Sequence, residues 1–419
     1  MPNDEPASTT TARGALSHIR VLDLSRVFAG PWAGQMLADL GAEVIKVERP
    51  GDGDDARRLG PPFLRGDDGV PTGDAGFFLS ANRNKRSITV DLAQPEGRQI
   101  IRELARRADV LIENYKVGDL ARHGLDAATL RAENPRLVYC SITGFGQTGP
   151  YRQRAGYDSI FQGMGGLMAI TGHADGEPGG GPQKVGLIVS DLMAGMYASV
   201  AILAALEHRD AVSGEGQTID LALLDAQVAA LSHAAMGYLV SGEPVPRCGT
   251  KSPTAAPSQM YRTEDGAIML VVGNQAQWEK LAGVVGRPEL PADPRFATNS
   301  QRIAHRDELN AILEPIFGAQ PKQHWIDAFA AAGIPCGPVN ELHEVFADPQ
   351  VQARELLVHL PHPARAAMPM LANPIRLSGT PVQYRLRPPD LGQHTDEVLA
   401  ELPGYDAARR RALREAGVI

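Results

Sequence analysis

The chain has 419 residues, of which 43% are hydrophobic and 21% charged, a composition typical of a globular protein with two or three domains. Its formal net charge is −8, its pI is about 5.8, and it has no long basic tract, so nucleic acid is not expected as a partner. No stretch of about 18 apolar residues is evident, and we expect neither a membrane span nor a membrane partner.

The polar N-terminus lacks the apolar segment of a signal peptide, so residues 1–13 are predicted to be a disordered tail on a cytoplasmic protein. Cys140, Cys248 and Cys336 lie far apart without CxxC spacing, which fits a reducing compartment. The histidines are dispersed, and no metal site is expected.

The N-terminal third alternates short apolar strands with helices. Strands are predicted over 19–24, 43–48, 110–113 and 137–142, and helices near 36–40 and 96–107. Strands separated by helices predict a parallel, doubly wound sheet. The first turn, from Ser25 to Pro31, has no GxGxxG motif. This argues against a nicotinamide cofactor, although Glu48 ends the second strand where a ribose-binding acid would lie.

Asp191 is the most informative single residue. It follows the apolar run from Val185 to Val189 and precedes a helical pattern from Leu192 to Leu206. This position predicts a helix N-cap, a nucleophile, or both. We expect the carboxylate to be ionised at the end of a strand, where α/β folds bind ligands, and able to attack an activated acyl group.

The remaining patterns predict a second, smaller domain. Helices flank a strand at 218–221, four prolines between Gly242 and Gln259 indicate an extended connection, and 261–263 and 268–272 predict a hairpin that helices follow. The fold class is α/β, with a Rossmann-like parallel sheet in a large domain and a smaller α+β domain. The predicted boundaries are a tail at 1–13, a large domain at 14–205, linker helices at 206–240, a small domain at 241–332 and a return to the large domain at 333–419.

Short motifs with a fixed order extend from about Gly14 to Gly404. They are Leu22–Arg26 with Ala29–Pro31, Gly41–Glu48, Asn84–Ser87, Ile112–Tyr115, Asn134–Arg136, Thr143–Gly146, Gly156–Asp158, Gly214–Gln217, and Ala332–Pro335 with Gly337–Val339. In this order and spacing they resemble the class III coenzyme A-transferase family, which includes formyl-CoA transferase, carnitine CoA-transferase, succinyl-CoA:dicarboxylate CoA-transferases and α-methylacyl-CoA racemase.

The resemblance implies that Asp191 is a catalytic carboxylate. It would attack the thioester of a donor acyl-CoA to give a mixed anhydride and CoA thiolate, whose return would leave an aspartyl-CoA thioester. Asp158 would orient Asp191 or the acceptor, and Asn274 and Gln275 would donate hydrogen bonds to the oxyanion. Coenzyme A is then a co-substrate, and no permanently bound cofactor or metal is required.

The same resemblance implies a CoA-binding set. Its members are Arg26, Val27, Phe28, Ala29, Arg49, Asn114, Tyr115 and Arg122. Arg154 joins the set because it is adjacent to Ala155, which stands where formyl-CoA transferase has a lysine.

Tyr157 stands where racemases of the family have a proton-transferring histidine, and a phenol with a pKa near ~10 is poorly suited to that role. CoA transfer is therefore preferred, and racemase-type epimerisation and non-catalytic CoA-ester binding are the alternatives. Succinyl-CoA is the expected donor and a dicarboxylate the expected acceptor, whose second charge could pair with Arg83, Lys85, Arg86 or Lys184. The resemblance also implies an interlocked homodimer.

Overall fold

The computed structural model describes residues 14–419 and contains thirteen strands and seventeen α-helices within that range. The strands are β1 Arg20–Asp23, β2 Glu43–Glu48, β3 Phe63–Arg65, β4 Pro71–Ala75, β5 Lys85–Thr89, β6 Val110–Glu113, β7 Val138–Thr143, β8 Thr218–Ala222, β9 Ser258–Thr263, β10 Gly266–Val271, β11 Cys336–Pro338, β12 Leu357–His362 and β13 Arg365–Leu371. The helices are α1 Ala29–Asp39, α2 Gly76–Ser80, α3 Pro95–Ala105, α4 Ala127–Glu133, α5 Asp158–Met164, α6 Leu167–Ile170, α7 Val189–His208, α8 Leu223–Ala230, α9 Ser232–Ser241, α10 Gln275–Val284, α11 Asn299–Ala304, α12 Arg306–Gly318, α13 Lys322–Ala332, α14 Leu342–Ala347, α15 Pro349–Ala353, α16 Thr395–Ala400 and α17 Ala407–Glu415.

Six strands form one sheet in the order β5-β2-β1-β6-β7-β8, and all neighbouring pairs are parallel. Taken in chain order, this arrangement is 3-2-1-4-5-6, the Rossmann arrangement. The strand order reverses between β1 and β6. Ligands of such folds bind at that point, outside the carboxyl ends of the strands.

Successive residues of the strands face opposite sides of the sheet, and each side has its own hydrophobic core. Leu22 and Ile45 pack on one side with α3 and the C-terminal helices, whereas Val21 and Val44 pack on the other with α1 and α7. Burial on both faces explains why the central strands β6 and β7 contain adjacent apolar residues.

The chain consists of two compact units. The first contains the described residues up to Leu167, Val185–Met236 and Arg354–Ile419, and the second contains Met168–Lys184 and Gly237–Ala353. In the second unit, β9, β10 and β11 form an antiparallel sheet whose hydrophobic core includes Trp278 and Phe317. The domain boundaries predicted from the sequence are finer than this division and stay a prediction, and the tail at 1–13 lies outside the described residues.

The predicted fold class is confirmed by the parallel sheet and the smaller antiparallel one. The strands predicted at 43–48 and 110–113 have those bounds in the structure, and the predicted hairpin is the β9–β10 pair. The expectation that no segment spans a membrane stays a prediction. The helix Val189–Ser213 is long and apolar enough by length and composition, although nearly half of its apolar window is buried within the protein.

Candidate active site

Two connected clefts lie at the point where the strand order reverses. Both are lined by Arg26 from the turn after β1 and by Tyr115 and Asp119 from the segment after β6. The larger cleft has a volume of about 340 Å³ and extends past the end of β7 to Asp191. The smaller, of about 240 Å³, extends along the ends of β2 and β5. The topology therefore places a ligand site where parallel α/β sheets usually have one.

The clefts bring together most of the residues that the sequence singled out. The larger cleft is lined by Arg26, Val27, Ala29, Asn114, Tyr115, Arg154, Tyr157 and Asp191, and the smaller by Arg26, Arg49, Tyr115 and Arg122. Phe28 lines neither cleft, because its ring is buried against Trp32 and Phe77.

Asp191 is not the N-cap that the sequence predicts. Helix α7 begins at Val189, so Asp191 is its third residue, and the N-cap Ile188 has no side-chain capping bond. The apolar run before the helix is also not a strand. Its backbone bonds to the side chain of Gln162 instead, which accepts from Val185 N at 3.0 Å and donates to Leu187 O at 2.9 Å.

The expectation that Asp191 is ionised is met only in part near neutral pH. Burial, reinforced by the negative charge of Asp158, raises the pKa of Asp191 to about 7. The backbone N–H of Ala29, at the first position of α1, lies near the carboxylate and opposes this rise. Asp191 is therefore a carboxylate that titrates near neutrality.

Asp158 is buried beside the start of α7. Its Oδ1 accepts from Ser190 N at 2.8 Å and its Oδ2 from Gln162 Nε2 at 2.6 Å. Ser190 Oγ in turn donates to Gln227 Oε1 at 2.8 Å. These bonds fix the first turn of α7 and with it the backbone of Asp191.

The turn between β1 and α1 is held on several sides. Asn114 accepts from Arg26 N at 2.8 Å and donates to Arg26 O at 2.7 Å, while Asp54 Oδ1 accepts from Val27 N at 3.0 Å. Asp54 is paired with Lys46, and both side chains are buried. Sequence reasoning missed this pair and also missed Gln162, because the partners come together only in the folded chain.

Asn274 and Gln275, the predicted oxyanion donors, lie in the second unit at the start of α10. Asn274 is the N-cap of that helix, and its Oδ1 accepts from Gln277 N at 2.9 Å. Gln275 Oε1 accepts from Arg302 Nη1 at 3.1 Å. The amide oxygens of both side chains are therefore occupied, and Gln275 Nε2 also donates to Glu279 Oε1 at 3.4 Å.

Three of the four cations considered for a second substrate carboxylate already have acidic partners. Arg83 pairs with Asp39, Lys85 with Asp23, and Arg86 with Glu43, Glu397 and Glu401. Lys184 is exposed. The cations that line the larger cleft beside Arg26 are Lys116, Arg152 and Arg154.

Among residues 14–419, one group of acids and histidine is close enough to suggest a metal site: Asp74, His362 and Asp390. His362 Nδ1 accepts from Ala364 N at 3.2 Å, so the neutral ring carries its proton on Nε2, which points to Asp74. The Asp390 carboxylate accepts two bonds from Arg387. All three residues therefore already have hydrogen-bond partners within the protein.

Comparison with known proteins assigns the class. A model of CoA-transferase family III matches residues 16–395, and the chain therefore belongs to this family. It is a CoA-transferase with coenzyme A as co-substrate, which confirms the family predicted from the sequence motifs.

The chain is similar to particular members over most of its length. It is 48% identical over 402 residues to the succinate–glutarate CoA-transferase of Agrobacterium fabrum, covering 96% of this chain and 97% of that protein. It is 41% identical over 404 residues to the succinyl-CoA:glutarate CoA-transferase of Homo sapiens, covering 96% and 90%. Among solved structures, a CAIB/BAIF family protein from Brucella suis matches with a TM-score of 0.85 and 44% identity, covering 94% of this chain and all of that one.

Proposed function

We propose that this protein transfers coenzyme A from succinyl-CoA to glutarate or a similar dicarboxylate through covalent intermediates on Asp191. The observation that carries the proposal is the position of Asp191, a carboxylate without a counter-ion in the described structure, on the wall of the larger cleft. The names of the relatives from Agrobacterium fabrum and Homo sapiens support the choice of donor and acceptor.

The chemistry conserves one thioester at each exchange. An Asp191 oxygen attacks the carbonyl of succinyl-CoA and expels CoA thiolate, which leaves an aspartyl–succinyl anhydride. The thiolate attacks the aspartyl carbonyl and releases succinate, so that Asp191 carries CoA as a thioester. Glutarate then attacks this thioester and the same two steps run in reverse, returning free Asp191 and glutaryl-CoA.

The surrounding residues have separate proposed roles. Asp158 orients Asp191 through the first turn of α7, and Tyr157, whose side chain is 77% exposed, contacts the acyl group in the larger cleft. Asn274 and Gln275 are proposed to donate to the oxyanion. A tyrosine rather than histidine at position 157 supports transfer over epimerisation.

We assign CoA binding to both clefts. Arg49 and Arg122 line the smaller cleft and offer positive charge to the phosphates, while Asn114, Tyr115 and Arg154 line the larger one. Val27 and Ala29 line the larger cleft together with Asp191 and are proposed to contact the pantetheine chain, whose thiol must reach that carboxylate.

The decisive experiment traps the covalent intermediate. Wild type and Asp191→Asn are each mixed with succinyl-CoA, glutaryl-CoA or acetyl-CoA, and the protein is examined by intact-mass and peptide mass spectrometry, with hydroxylamine trapping of the activated carboxyl group. We expect an adduct on the Asp191 peptide of wild type only. Turnover of succinyl-CoA with glutarate should fall by at least ~10³-fold in Asp191→Asn.

Asp225→Asn is the matched control, because Asp225 is the third residue of α8 as Asp191 is of α7, but it is exposed and lines neither cleft. This variant should form the adduct and turn over as wild type does. An unlabelled Asp191 in wild type that binds CoA, or equal adducts in wild type and Asp191→Asn, would refute the mechanism.

We further propose that the protein is a homodimer in the cytoplasm. The apolar side chains Met196, Tyr197 and Val200 are exposed along α7, and a second copy would cover them. Three unpaired cysteines support a reducing compartment. Light scattering coupled to gel filtration should give twice the chain mass for wild type, and Val200→Glu should lower it; a monomeric wild type would refute the dimer.

A further inference from the structure

The turn between β1 and α1 contains an unusual backbone conformation. Val27 has a φ of +68°, in the left-handed region that β-branched residues strongly avoid. Among residues 14–419, the other non-glycine residues with positive φ are Asn84, Ser232 and Glu355, so Val27 is the single β-branched case. A conformation of this kind persists only where its surroundings impose it.

The surroundings of Val27 impose it through a buried ion pair. Val27 N donates to Asp54 Oδ1 at 3.0 Å, and Lys46 Nζ donates both to Asp54 Oδ2 at 2.8 Å and to Ser25 O at 3.0 Å. One pair of charges thus holds the backbone on both sides of Arg26.

Asp54 is itself fixed by further buried contacts. Its side chain is 1% exposed, its backbone N–H donates to Glu48 Oε2 at 3.0 Å, and Oδ1 also accepts from Ala56 N at 2.9 Å. Glu48, the last residue of β2, is held in turn by Arg57 at 2.7 Å. Asp54 is therefore fixed through Glu48 to strand β2 of the large sheet, and not through a mobile surface side chain.

The turn leads directly to the reacting group. Two residues after Val27, the N–H of Ala29 lies near the carboxylate of Asp191, and Val27, Ala29 and Asp191 all line the larger cleft. A change in φ at Val27 would swing this N–H away, because the peptide planes that follow rotate with it. The direction of the Ala29 N–H thus depends on the conformation of Val27.

We propose that Asp54, with Lys46, is a positioning residue for the transfer reaction: it holds Val27 in the left-handed conformation and so directs the Ala29 N–H at the Asp191 carboxylate. This inference rests on the proposed nucleophilic role of Asp191. A purely structural role, in which Asp54 only neutralises Lys46, makes a different prediction, because it gives the conformation of Val27 no part in turnover.

The test removes the acceptor for the Val27 N–H without leaving an unpaired buried charge. Asp54→Asn/Lys46→Met keeps an oxygen that can accept from Val27 N, whereas Asp54→Ala/Lys46→Met removes it, and both variants lack the two charges. We expect kcat for CoA transfer from succinyl-CoA to glutarate to be roughly 10- to 100-fold lower in the alanine variant than in the asparagine variant. Thermal unfolding and circular dichroism establish that both are folded; Asp54→Val/Lys46→Met replaces the alanine variant if that one is not.

Adding Val27→Gly to each double variant distinguishes a positioning role of Asp54 from a purely structural one, because glycine adopts positive φ without steric conflict. If Asp54 is a positioning residue, Val27→Gly should increase kcat in both backgrounds by different factors. The factor in Asp54→Ala/Lys46→Met should be at least about five times the factor in Asp54→Asn/Lys46→Met. Equal effects of Val27→Gly in the two backgrounds, or equal kcat for the two starting variants, would overturn the proposal.

Hydrogen exchange provides a measurement that does not depend on turnover. We expect the amides of Val27 and Ala29 to be protected in wild type, and the Ala29 amide to lose protection in the alanine variant and regain it with Val27→Gly. Unprotected amides in wild type overturn the proposal without any variant. Wild type could give no adduct at Asp191 and still show the expected hydrogen-exchange protection. In that case Asp191 is not the nucleophile, but Asp54 still fixes the conformation of the turn at Val27.

Discussion

Three strands of the large sheet end in a buried acid, and the three acids have different surroundings. Asp23 at the end of β1 pairs with Lys85, and Glu48 at the end of β2 pairs with Arg57. Glu113 at the end of β6 has no cationic partner in the described part of the chain. Asp191, nearby in the first turn of α7, also lacks one.

The difference is visible in the pKa values. Burial by itself would raise the pKa of Asp23 and of Glu48. For Asp23, Lys85 and Lys46 with the Ser25 hydroxyl together outweigh burial, and for Glu48, Arg57 and Lys46 with the Ser87 hydroxyl do so, which holds both pKa values below their usual range. Burial raises the pKa of Glu113 to about 7, with bonds from Ser141 and Tyr115 opposing it. Equal burial thus gives opposite shifts, and the presence of a cation decides the sign.

This contrast has a consequence for the reaction. A carboxylate held by a buried cation would be a weak nucleophile, because its charge is already neutralised. Asp191, with a pKa of about 7, is more basic and is still partly ionised at neutral pH. The acids with a cationic partner, Asp23 and Glu48, stabilise the fold, whereas Asp191, which has none, remains reactive.

The largest expected effect on stability comes from breaking a buried ion pair, Lys46 with Asp54. Lys46→Met leaves Asp54 buried without its cation, and we expect the free energy of unfolding to fall by about 3–5 kcal/mol. Chemical denaturation measures this change. Arg414→Ala, which removes an exposed partner of Asp396, should change stability by less than about 1 kcal/mol. An equal decrease in the free energy of unfolding in both variants would show that the buried ion pair stabilises the protein no more than an exposed one.

The second effect concerns the unpaired acid during catalysis. Because the attacking Asp191 must be ionised and its pKa is about 7, kcat/KM should rise roughly tenfold per pH unit below neutrality and level off above it. Asp158→Asn removes the neighbouring negative charge, so the rise should shift to lower pH. A profile without a break between acid and neutral pH, measured with succinyl-CoA and glutarate, would contradict the assignment.

The third effect compares two strand-end acids directly. The pKa of Glu113 is raised from 4.5 to about 7 in the folded state, so the native protein loses stability as pH rises through this interval. Glu113→Gln removes the loss and should stabilise the protein by about 1–3 kcal/mol at pH ~8, with little change below pH ~4.5.

Glu48→Gln is the counterpart in the paired region. The pKa of Glu48 is lowered, so its stabilisation is present above the unfolded pKa and is lost as pH falls through the folded one. This variant should therefore destabilise the protein at pH ~8, opposite to Glu113→Gln. Urea denaturation at both pH values checks the two signs, and equal signs would contradict the role given to the counter-ion.

The sequence was sufficient for the features that depend on local patterns. Alternating apolar segments and helices predict the parallel sheet, and the ordered motifs predict the family. Ten of the fourteen site residues that the sequence singled out line the two clefts. Local patterns were insufficient for Asp191, because its place in the third position of α7 depends on Gln162, which holds the preceding segment out of a strand. Its raised pKa also depends on burial by distant elements.

The buried pairs show the same limit. Lys46 is an interior residue of β2 and Asp54 belongs to the loop after it, and nothing in their spacing indicates that they meet under the turn at Val27. Arg83, Lys85 and Arg86 were plausible substrate contacts by charge alone. The structure gives each of them an acidic partner.

The smallest expected effect lies at the exposed rim, where a salt bridge adds little stability. Arg49 and Arg58 both approach Asp52 and all three are more than half exposed, but only Arg49 lines the smaller cleft. We expect Arg49→Ala to raise KM for succinyl-CoA by roughly fivefold, about 1 kcal/mol, with a smaller ratio at high salt because exposed charges are screened. Arg58→Ala should leave KM unchanged, and neither variant should alter the midpoint of denaturation measurably. Equal KM changes in the two variants would mean that CoA responds to the overall charge of this rim and not to a contact with Arg49.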